Sequence, residues 1–218
     1  MLAVDVGGAH VKLLTSVETE VRRFESGPSF TPRELIDGLH SSGAGWSWDV
    51  VTIGIPTPVR GGKVVAEPIN LGDGWVGFDY EGSFGKPTKV VNDAAMQAIG
   101  SYEGGRMLFL GLGTGLGSTL IVDGTVAPLE LGHLPYRKAT FEDYVGELGR
   151  KRRGKEKWKA SVFDAVARLA AAMEPDYIVI GGGDVVLLDE LPENARRGSN
   201  KNAFTGGFRL WDPEWELP

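Results

Sequence analysis

The feature that most constrains the fold is a pattern that occurs twice, half a chain apart. In the middle, the apolar run Met107–Leu110 leads into GLGTGLG, and a second apolar run, Leu120–Val122, follows. The N-terminus repeats this order around Gly7-Gly8. Glycine weakens strands but permits tight turns and the close approach of a ligand to the backbone. We therefore predict two similar α/β domains that face one another across a phosphate, each beginning with a strand, an anion-binding glycine turn and a strand.

Two charged residues accompany the first glycine turn. Asp5 lies at the end of the predicted strand Leu2–Val6, immediately before Gly7-Gly8. A carboxylate beside a phosphate would repel it unless a Mg²⁺ ion lay between them, usually bound through water. Asp5 could instead form a simple Asx turn. Lys12, in the next strand, could reach a phosphate or could be a solvated strand residue.

A polar loop and the end of a later strand supply further candidates. Loop 68–75 combines Asn70 with an Asp and a Trp, a combination that often binds sugars but also occurs in ordinary turns. Asn92 and Asp93 follow the apolar strand Lys89–Val91, and a helical segment begins directly afterwards. Ligand sites collect at the carboxyl ends of strands in α/β sheets. Asp93 could therefore be a general base, or it could only cap the helix.

The second half of the chain also places polar residues around glycines. Glu130 and His133 lie three positions apart around a Gly and could point at one polar ligand. The apolar strand Asp176–Ile180 ends in the triple glycine Gly181–Gly183, where a nucleotide or a phosphate chain could approach the backbone. The segment 203–211 is apolar and aromatic, and we predict that it packs onto the second domain.

A basic run lies between two predicted helices, Phe141–Leu148 and Trp158–Met173. The run is RKRRGKEKWK, Arg150–Lys159, with seven Lys or Arg residues in a chain of net charge −6. It could be a solvated helix start or a docking surface for a polyanion.

Composition argues against several classes of protein. The net charge of −6 indicates no general affinity for nucleic acid. The chain has no cysteine, which excludes disulfides and thiolate zinc sites and fits a reducing compartment. The N-terminus lacks the features of a secretory signal, and no apolar run is long enough to span a membrane. We expect a soluble, cytoplasmic protein without zinc that binds neither nucleic acid nor membranes.

The order of these motifs is more specific than any one of them. The chain contains, in order, DVGG (5–8), VVND (90–93), LGTGLGS (112–118), ELGH (130–133) and GGG (181–183). This order resembles the ROK (repressor, ORF, kinase) sugar kinases of the actin/hexokinase superfamily. Within that family the chain looks most like the polyphosphate glucokinases, and the resemblance covers nearly its whole length. The closer match is carried by VDGTVAPLELGH (122–133), YVGELGRKRRGKEKW (144–158) and NAFTGGFRLW (202–211).

The resemblance implies a fold, an activity and partners. The fold would be the two-domain actin-like (ribonuclease H-like) fold, with domains 1–103 and 104–218, each a mixed sheet flanked by helices, and the active site in the cleft between them. The activity would be transfer of a phosphoryl group from polyphosphate or ATP to the 6-hydroxyl of glucose or a similar hexose, with Mg²⁺ as cofactor. Homodimers are common in this family, so a homodimer is expected.

The resemblance also implies a role for each candidate residue. Asp93 would be the general base that takes the proton of the sugar hydroxyl. The sugar would be bound by Asn70, Asn92, Glu130 and His133. The transferring phosphate would be held by Asp5, Gly7, Gly8, Lys12, Gly113, Thr114 and Gly115. Asp5 would also bind the Mg²⁺ ion, through water. The nucleotide or phosphate-chain channel would be lined by Gly181, Gly182 and Gly183.

Two positions depart from the family pattern. Ala9 follows the first Gly-Gly where the family usually has Thr or Ser, which removes a hydroxyl donor to the phosphate. Thr57 ends a loop that often reads GxPG, which could alter the fit of the sugar. These departures leave two alternatives open, a non-catalytic sensor of a sugar or nucleotide and a kinase for an acceptor other than glucose.

Overall fold

The computed structural model describes residues 1–215, which form two compact units. The first unit consists of Met1–Gly100 together with the segment from Ala203 onward. The second unit is Ser101–Asn202. The break at Gly100 lies three residues before the end of the predicted first domain, whereas the segment from Ala203 belongs to the other unit than predicted.

The first unit is built on a five-stranded mixed sheet in the order β3-β2-β1-β4-β7. Strands β1, β2 and β3 pair antiparallel, and β1, β4 and β7 pair parallel. Its elements, in chain order, are β1 (Leu2–Val6), β2 (His10–Thr15), β3 (Arg22–Glu25), α1 (Pro32–Ser42), β4 (Val51–Ile55), β5 (Val59–Arg60), β6 (Lys63–Val64), α2 (Tyr80–Phe84), β7 (Thr88–Asn92) and α3 (Asp93–Ser101).

Helix α1 shows how local sequence sets an element in this unit. The Thr31 side chain accepts the Glu34 N–H, and the Glu34 carboxylate accepts the Thr31 N–H, which is a capping box. Pro32 occupies the first helical turn, where its missing N–H is not needed. Leu35 and Leu39 are fully buried against the sheet core.

The second unit repeats this topology with the order β10-β9-β8-β13-β14. Strands β8, β9 and β10 pair antiparallel, and β8, β13 and β14 pair parallel. The internal repeat predicted from the glycine turns is therefore confirmed at the level of strand order. The elements are β8 (Arg106–Leu112), β9 (Leu116–Val122), β10 (Thr125–Leu129), β11 (Pro135–Tyr136), β12 (Ala139–Thr140), α4 (Phe141–Val145), α5 (Glu147–Arg153), α6 (Lys155–Met173), β13 (Tyr177–Gly181) and β14 (Ala195–Arg197), with 3-10 turns at Leu131–His133 and Gly183–Leu187.

The basic run is helical and not a loop. The predicted helix Phe141–Leu148 ends early, at Val145, because Gly146 has an extended backbone. Helix α5 then carries the first four basic residues of the run, and Gly154, with φ 80° and ψ 160°, separates it from α6. Trp158 is fully buried, and its indole N–H donates to the Val145 carbonyl at 2.6 Å, so α6 is fixed against α4.

The segment that follows the second unit forms α7 (Asn202–Arg209), and it packs on the sheet of the first unit. The Thr52 hydroxyl of β4 donates to the Gly207 carbonyl at 2.7 Å and accepts the Trp211 indole N–H at 2.8 Å. Arg209 donates to the Ile99 carbonyl, near the end of α3, at 2.7 Å. The prediction that 203–211 packs onto the second domain is wrong, because its apolar face and its polar partners lie in the first unit.

Candidate functional site

The carboxyl ends of the parallel strands β1, β4 and β7 lie at one edge of the first sheet. Asp5 pairs with Gly54, and Ile55 pairs with Asn92, so the ends of the three strands are in register. The first glycine turn follows β1, and Asp93 follows β7. The fold therefore brings to one edge the predicted residues Asp5, Gly7, Gly8, Lys12, Asn70, Asn92 and Asp93.

Asp5 is a buried carboxylate with one cationic neighbour. Only 7% of the residue is exposed, and its Oδ2 lies 3.4 Å from the Lys12 Nζ in the adjacent strand. Burial raises the pKa of Asp5 above its ordinary value, although the Lys12 ammonium partly opposes this shift. Lys12 is therefore more than a solvated strand residue, because its ammonium group faces the Asp5 carboxylate. Its contact with a phosphate stays a prediction.

The first glycine turn is held by hydrogen bonds from both sides. The Gly7 N–H donates to the His10 carbonyl, and the Ser26 hydroxyl donates to the Gly7 carbonyl at 2.6 Å. A Cβ atom at Gly8 would lie 3.6 Å from the Asn70 Cβ, which places the exposed Asn70 beside the turn. Ala9 is exposed at the tip.

Asn92 provides the helix cap that we considered for Asp93. Its Oδ1 accepts the Ala95 N–H at 3.1 Å, and its amide donates to the Thr57 carbonyl at 3.2 Å. Among the partners within residues 1–215, none takes the second amide N–H or the second oxygen lone pair of Asn92. Asp93 is the first residue of α3, half-buried, and its Oδ1 accepts the Ala94 N–H at 2.8 Å.

Two residues of the predicted sugar loops are structural. Thr57 is 4% exposed, and its hydroxyl donates to the Ala66 carbonyl at 2.7 Å, so the side chain that departs from GxPG holds the loop. The main-chain carbonyl of Thr57 accepts the Asn92 amide. Trp75 is fully buried in the core of the first unit, and its ring packs against Phe30 at a tilt of 42°, with ring centroids 6.2 Å apart. Trp75 therefore offers no ring face to a sugar.

At the edge of the first sheet, a divalent cation would need water and substrate phosphates as ligands in addition to Asp5. No group of three or more metal-binding side chains occurs within the described part of the chain. Asp5 supplies a single carboxylate, and Mg²⁺ commonly binds through one or two carboxylates with water and substrate phosphates. The residues thus fit the predicted indirect binding, which stays a prediction.

In the second unit, the two glycine turns lie at the carboxyl ends of the parallel strands β8 and β13. Gly181 pairs with Gly111 across these strands. Gly182 has φ +82°, and a Cβ atom there would lie 2.6 Å from the Leu112 nitrogen, so only glycine fits. The edge thus gathers the predicted residues Gly113, Thr114, Gly115, Gly181, Gly182 and Gly183. Thr114 is exposed at the tip of its turn.

Ser118 positions the segment with Glu130 and His133. It is 2% exposed, its hydroxyl donates to the Leu129 carbonyl at 2.7 Å, and it accepts the Leu131 N–H at 3.1 Å. Both partners of its hydroxyl belong to the chain segment that follows β9.

Sequence reasoning missed Glu142, which lies among the candidate residues of the second unit. Its Oε2 accepts the Leu116 N–H at 3.4 Å and occupies the space where Gly115 has no side chain. Burial raises the pKa of the Glu130 carboxyl, the His133 charge lowers it, and the Glu142 charge raises it. Glu142 is 26 residues from Leu116 in sequence, so no local pattern could reveal the contact.

Among residues 1–215, none of the helices combines the length and the apolar character needed to cross a membrane.

Comparison with known proteins confirms the resemblance predicted from the sequence. No family model matches the chain. A polyphosphate glucokinase of Mycobacterium tuberculosis is 26% identical over 135 residues, which cover 55% of this chain and 51% of the relative. The chain thus spans about half the length of the curated relatives it matches.

Solved structures share the fold over almost the whole chain. The inorganic polyphosphate/ATP-glucomannokinase of Arthrobacter sp. strain KM has a TM-score of 0.82 at 21% identity, covering 95% of this chain and 96% of its own. A ROK family glucokinase from Streptomyces griseus, solved with glucose and AMPPNP, has a TM-score of 0.79 at 16% identity, with 96% and 98% coverage. These matches confirm the predicted fold class, two mixed sheets flanked by helices as in the ROK kinases.

Proposed function

We propose that this protein is a hexose kinase that transfers a phosphoryl group from polyphosphate or ATP to the 6-hydroxyl of glucose or a similar sugar. The observation that carries the proposal is the single sheet edge that gathers Asp5, Asn92 and Asp93 beside the first glycine turn. The sequence and fold similarities to kinases of this type support it.

In this proposal Asp93 is the general base for the sugar hydroxyl. It stands at the end of β7 and at the start of α3, where the Ala94 N–H fixes one of its oxygens. Removal of a proton by a positioned base contributes on the order of 10²–10⁴-fold to a rate. Asn92, fixed by Thr57 and Ala95, orients the sugar next to that base.

The remaining candidate residues bind and orient the two substrates. Glu130, His133 and Glu142 form the second sugar-binding group, in which acceptor oxygens and an imidazole suit the hydroxyls of a hexose. The glycine turns at 113–115 and 181–183 hold the donor phosphates through their backbone. A Mg²⁺ ion, when bound beside Asp5, would neutralise charge on the phosphate oxygens. Phosphoryl transfer depends mostly on such positioning and charge stabilisation.

A coupled assay with glucose tests the proposal, with ATP and polyphosphate compared as donors. The expected result is sugar phosphate formation with at least one donor. Asp93→Asn should lower kcat by about 10²-fold or more while glucose binding, measured by calorimetry, stays nearly unchanged. No turnover across a panel of hexoses with either donor would refute the proposal, and an active Asp93→Asn variant would refute the role of Asp93.

The second candidate function is a sensor that binds a sugar or nucleotide without turnover. Ala9 favours it, because the exposed tip of the first turn lacks the hydroxyl that would donate to a phosphate. Binding of glucose in calorimetry with no turnover would support this function, and robust turnover would exclude it.

A further inference from the structure

Arg150 differs from the other cations of the basic run in its partner, an acidic residue next to the triple glycine. Its Nε lies 3.0 Å from the Asp184 Oδ2, and the two side chains are 28% and 16% exposed. Four other cations of the run have different partners. Lys151 pairs with Glu147, Arg152 donates to the Asp143 carbonyl, and Lys155 and Lys159 both pair with Asp189.

The Arg150–Asp184 pair connects the two glycine turns of the second unit. Helix α5, which carries Arg150, begins against the turn at 113–115, because the Glu147 N–H donates to the Gly113 carbonyl at 2.9 Å. Asp184 directly follows Gly183, the last residue of the triple glycine. The guanidinium group is thus tied to the chain segments on which both turns are built.

The geometry leaves the phosphate-binding part of the guanidinium available. Asp184 takes the Nε–H, and among residues 1–215 no partner is bound to the two terminal nitrogens of Arg150. Arginine binds phosphate oxygens in a bidentate fork with charge-assisted hydrogen bonds. A carboxylate that holds Nε also restricts the orientation of that fork, so less freedom is lost on binding.

We propose that Arg150, oriented by Asp184, binds a phosphate of the phosphoryl donor at the glycine turns of the second unit. This inference deepens the proposed function and rests on it for the identity of the donor. Because the pair is tied to both turns, Arg150 acts on the phosphate chain that polyphosphate and ATP share.

The test uses binding and kinetics with a matched control. Arg150→Gln should weaken the binding of tripolyphosphate, measured by calorimetry without sugar, by about 10- to 100-fold. It should raise the KM for ATP and for polyphosphate by a similar factor and leave the KM for glucose nearly unchanged. Arg150→Lys should bind tripolyphosphate with an affinity between those of the wild type and Arg150→Gln, because the lysine ammonium is a point charge and lacks the guanidinium fork. Arg168→Gln is the control, because Arg168 makes the same Nε–carboxylate contact, 3.1 Å to Asp164, on exposed α6.

Asp184→Asn separates a positioning role from a structural one. It should raise the KM for both donors several-fold, whereas a merely structural pair would lower the Tm in both variants with no change in donor binding. The inference would be overturned if the Arg150→Gln variant bound tripolyphosphate as tightly as the Arg168→Gln variant. It would also be overturned if the wild-type protein bound no tripolyphosphate. If the wild type binds tripolyphosphate through Arg150 but phosphorylates no sugar, the inference stands and the proposed kinase activity fails.

Discussion

The packing of α7 makes a sharp prediction at Gly206. A Cβ atom at this position would lie 2.9 Å from both the Met96 carbonyl carbon and the Gly100 nitrogen, and closer still to the Met96 carbonyl oxygen. These are backbone atoms of α3, so no side-chain rotation can relieve the collision. Gly206→Ala must therefore push α7 away from α3, which strains the Thr52–Gly207 and Arg209–Ile99 hydrogen bonds.

Two opposing effects set the size of the change. At a solvent-exposed position inside a helix, Gly→Ala stabilises the folded protein by about 1 kcal/mol. Overpacking of a tight interface costs about 1–3 kcal/mol or more, and backbone collisions lie at the upper end. The net expectation is a loss of about 1–2 kcal/mol. For a chain of this size, that corresponds to a fall in Tm of about 2–8 °C.

Thermal unfolding followed by circular dichroism would measure this change. Gly183→Ala serves as the stability control, because a Cβ atom there meets nothing within 4 Å and its φ is not positive. Its Tm should shift by no more than about 1–2 °C. A Gly206→Ala variant as stable as the wild type, or more stable, would show that helix propensity outweighs the collision and would refute the reasoning.

Three further predictions concern the two sites. Thr114→Ala should lower kcat sharply if its exposed hydroxyl contacts the transferred phosphate, and a near-normal kcat in the coupled assay would contradict this. The double variant Lys151→Glu/Lys155→Glu reverses two exposed charges. It should raise the KM for long polyphosphate several-fold and change the KM for ATP by less than about twofold. Equal changes in the two KM values would mean that the basic run is only a solvated surface. Burial raises the pKa of Asp5 in the folded state above its value in the unfolded state. Protonated Asp5 therefore stabilises the fold at a pH below the unfolded-state pKa, and this stabilisation is lost as the pH rises through the folded-state pKa. Asp5→Asn should therefore gain Tm relative to the wild type as pH rises from about 4 to about 7.5, and a constant difference would contradict the shift.

Sequence patterns predicted the parts of the fold that depend on neighbouring residues. The hairpins around Gly7 and Gly113 are local, because each joins two strands that follow one another along the chain. The edge that holds Asp5 and Asn92 was also predictable, since parallel strands of one sheet end together.

The errors concern contacts between distant segments. Thr52 binds Gly207, which is 155 residues away, and no pattern in an apolar segment shows which sheet it will cover. Glu142 is an ordinary first-turn residue of α4 until the fold places it against Gly115.

The return of α7 to the first unit has a consequence for biosynthesis. Residues 101–202 are continuous, so the second unit can complete its sheet before the segment from Ala203 onward is available. The first unit cannot, because the surface of β4 and α3 that carries Thr52 and Met96 stays uncovered until Ala203–Arg209 has emerged. The unit made first is therefore finished after the second, and a chain cut before Ala203 would leave Asp93 on a helix without the support of α7.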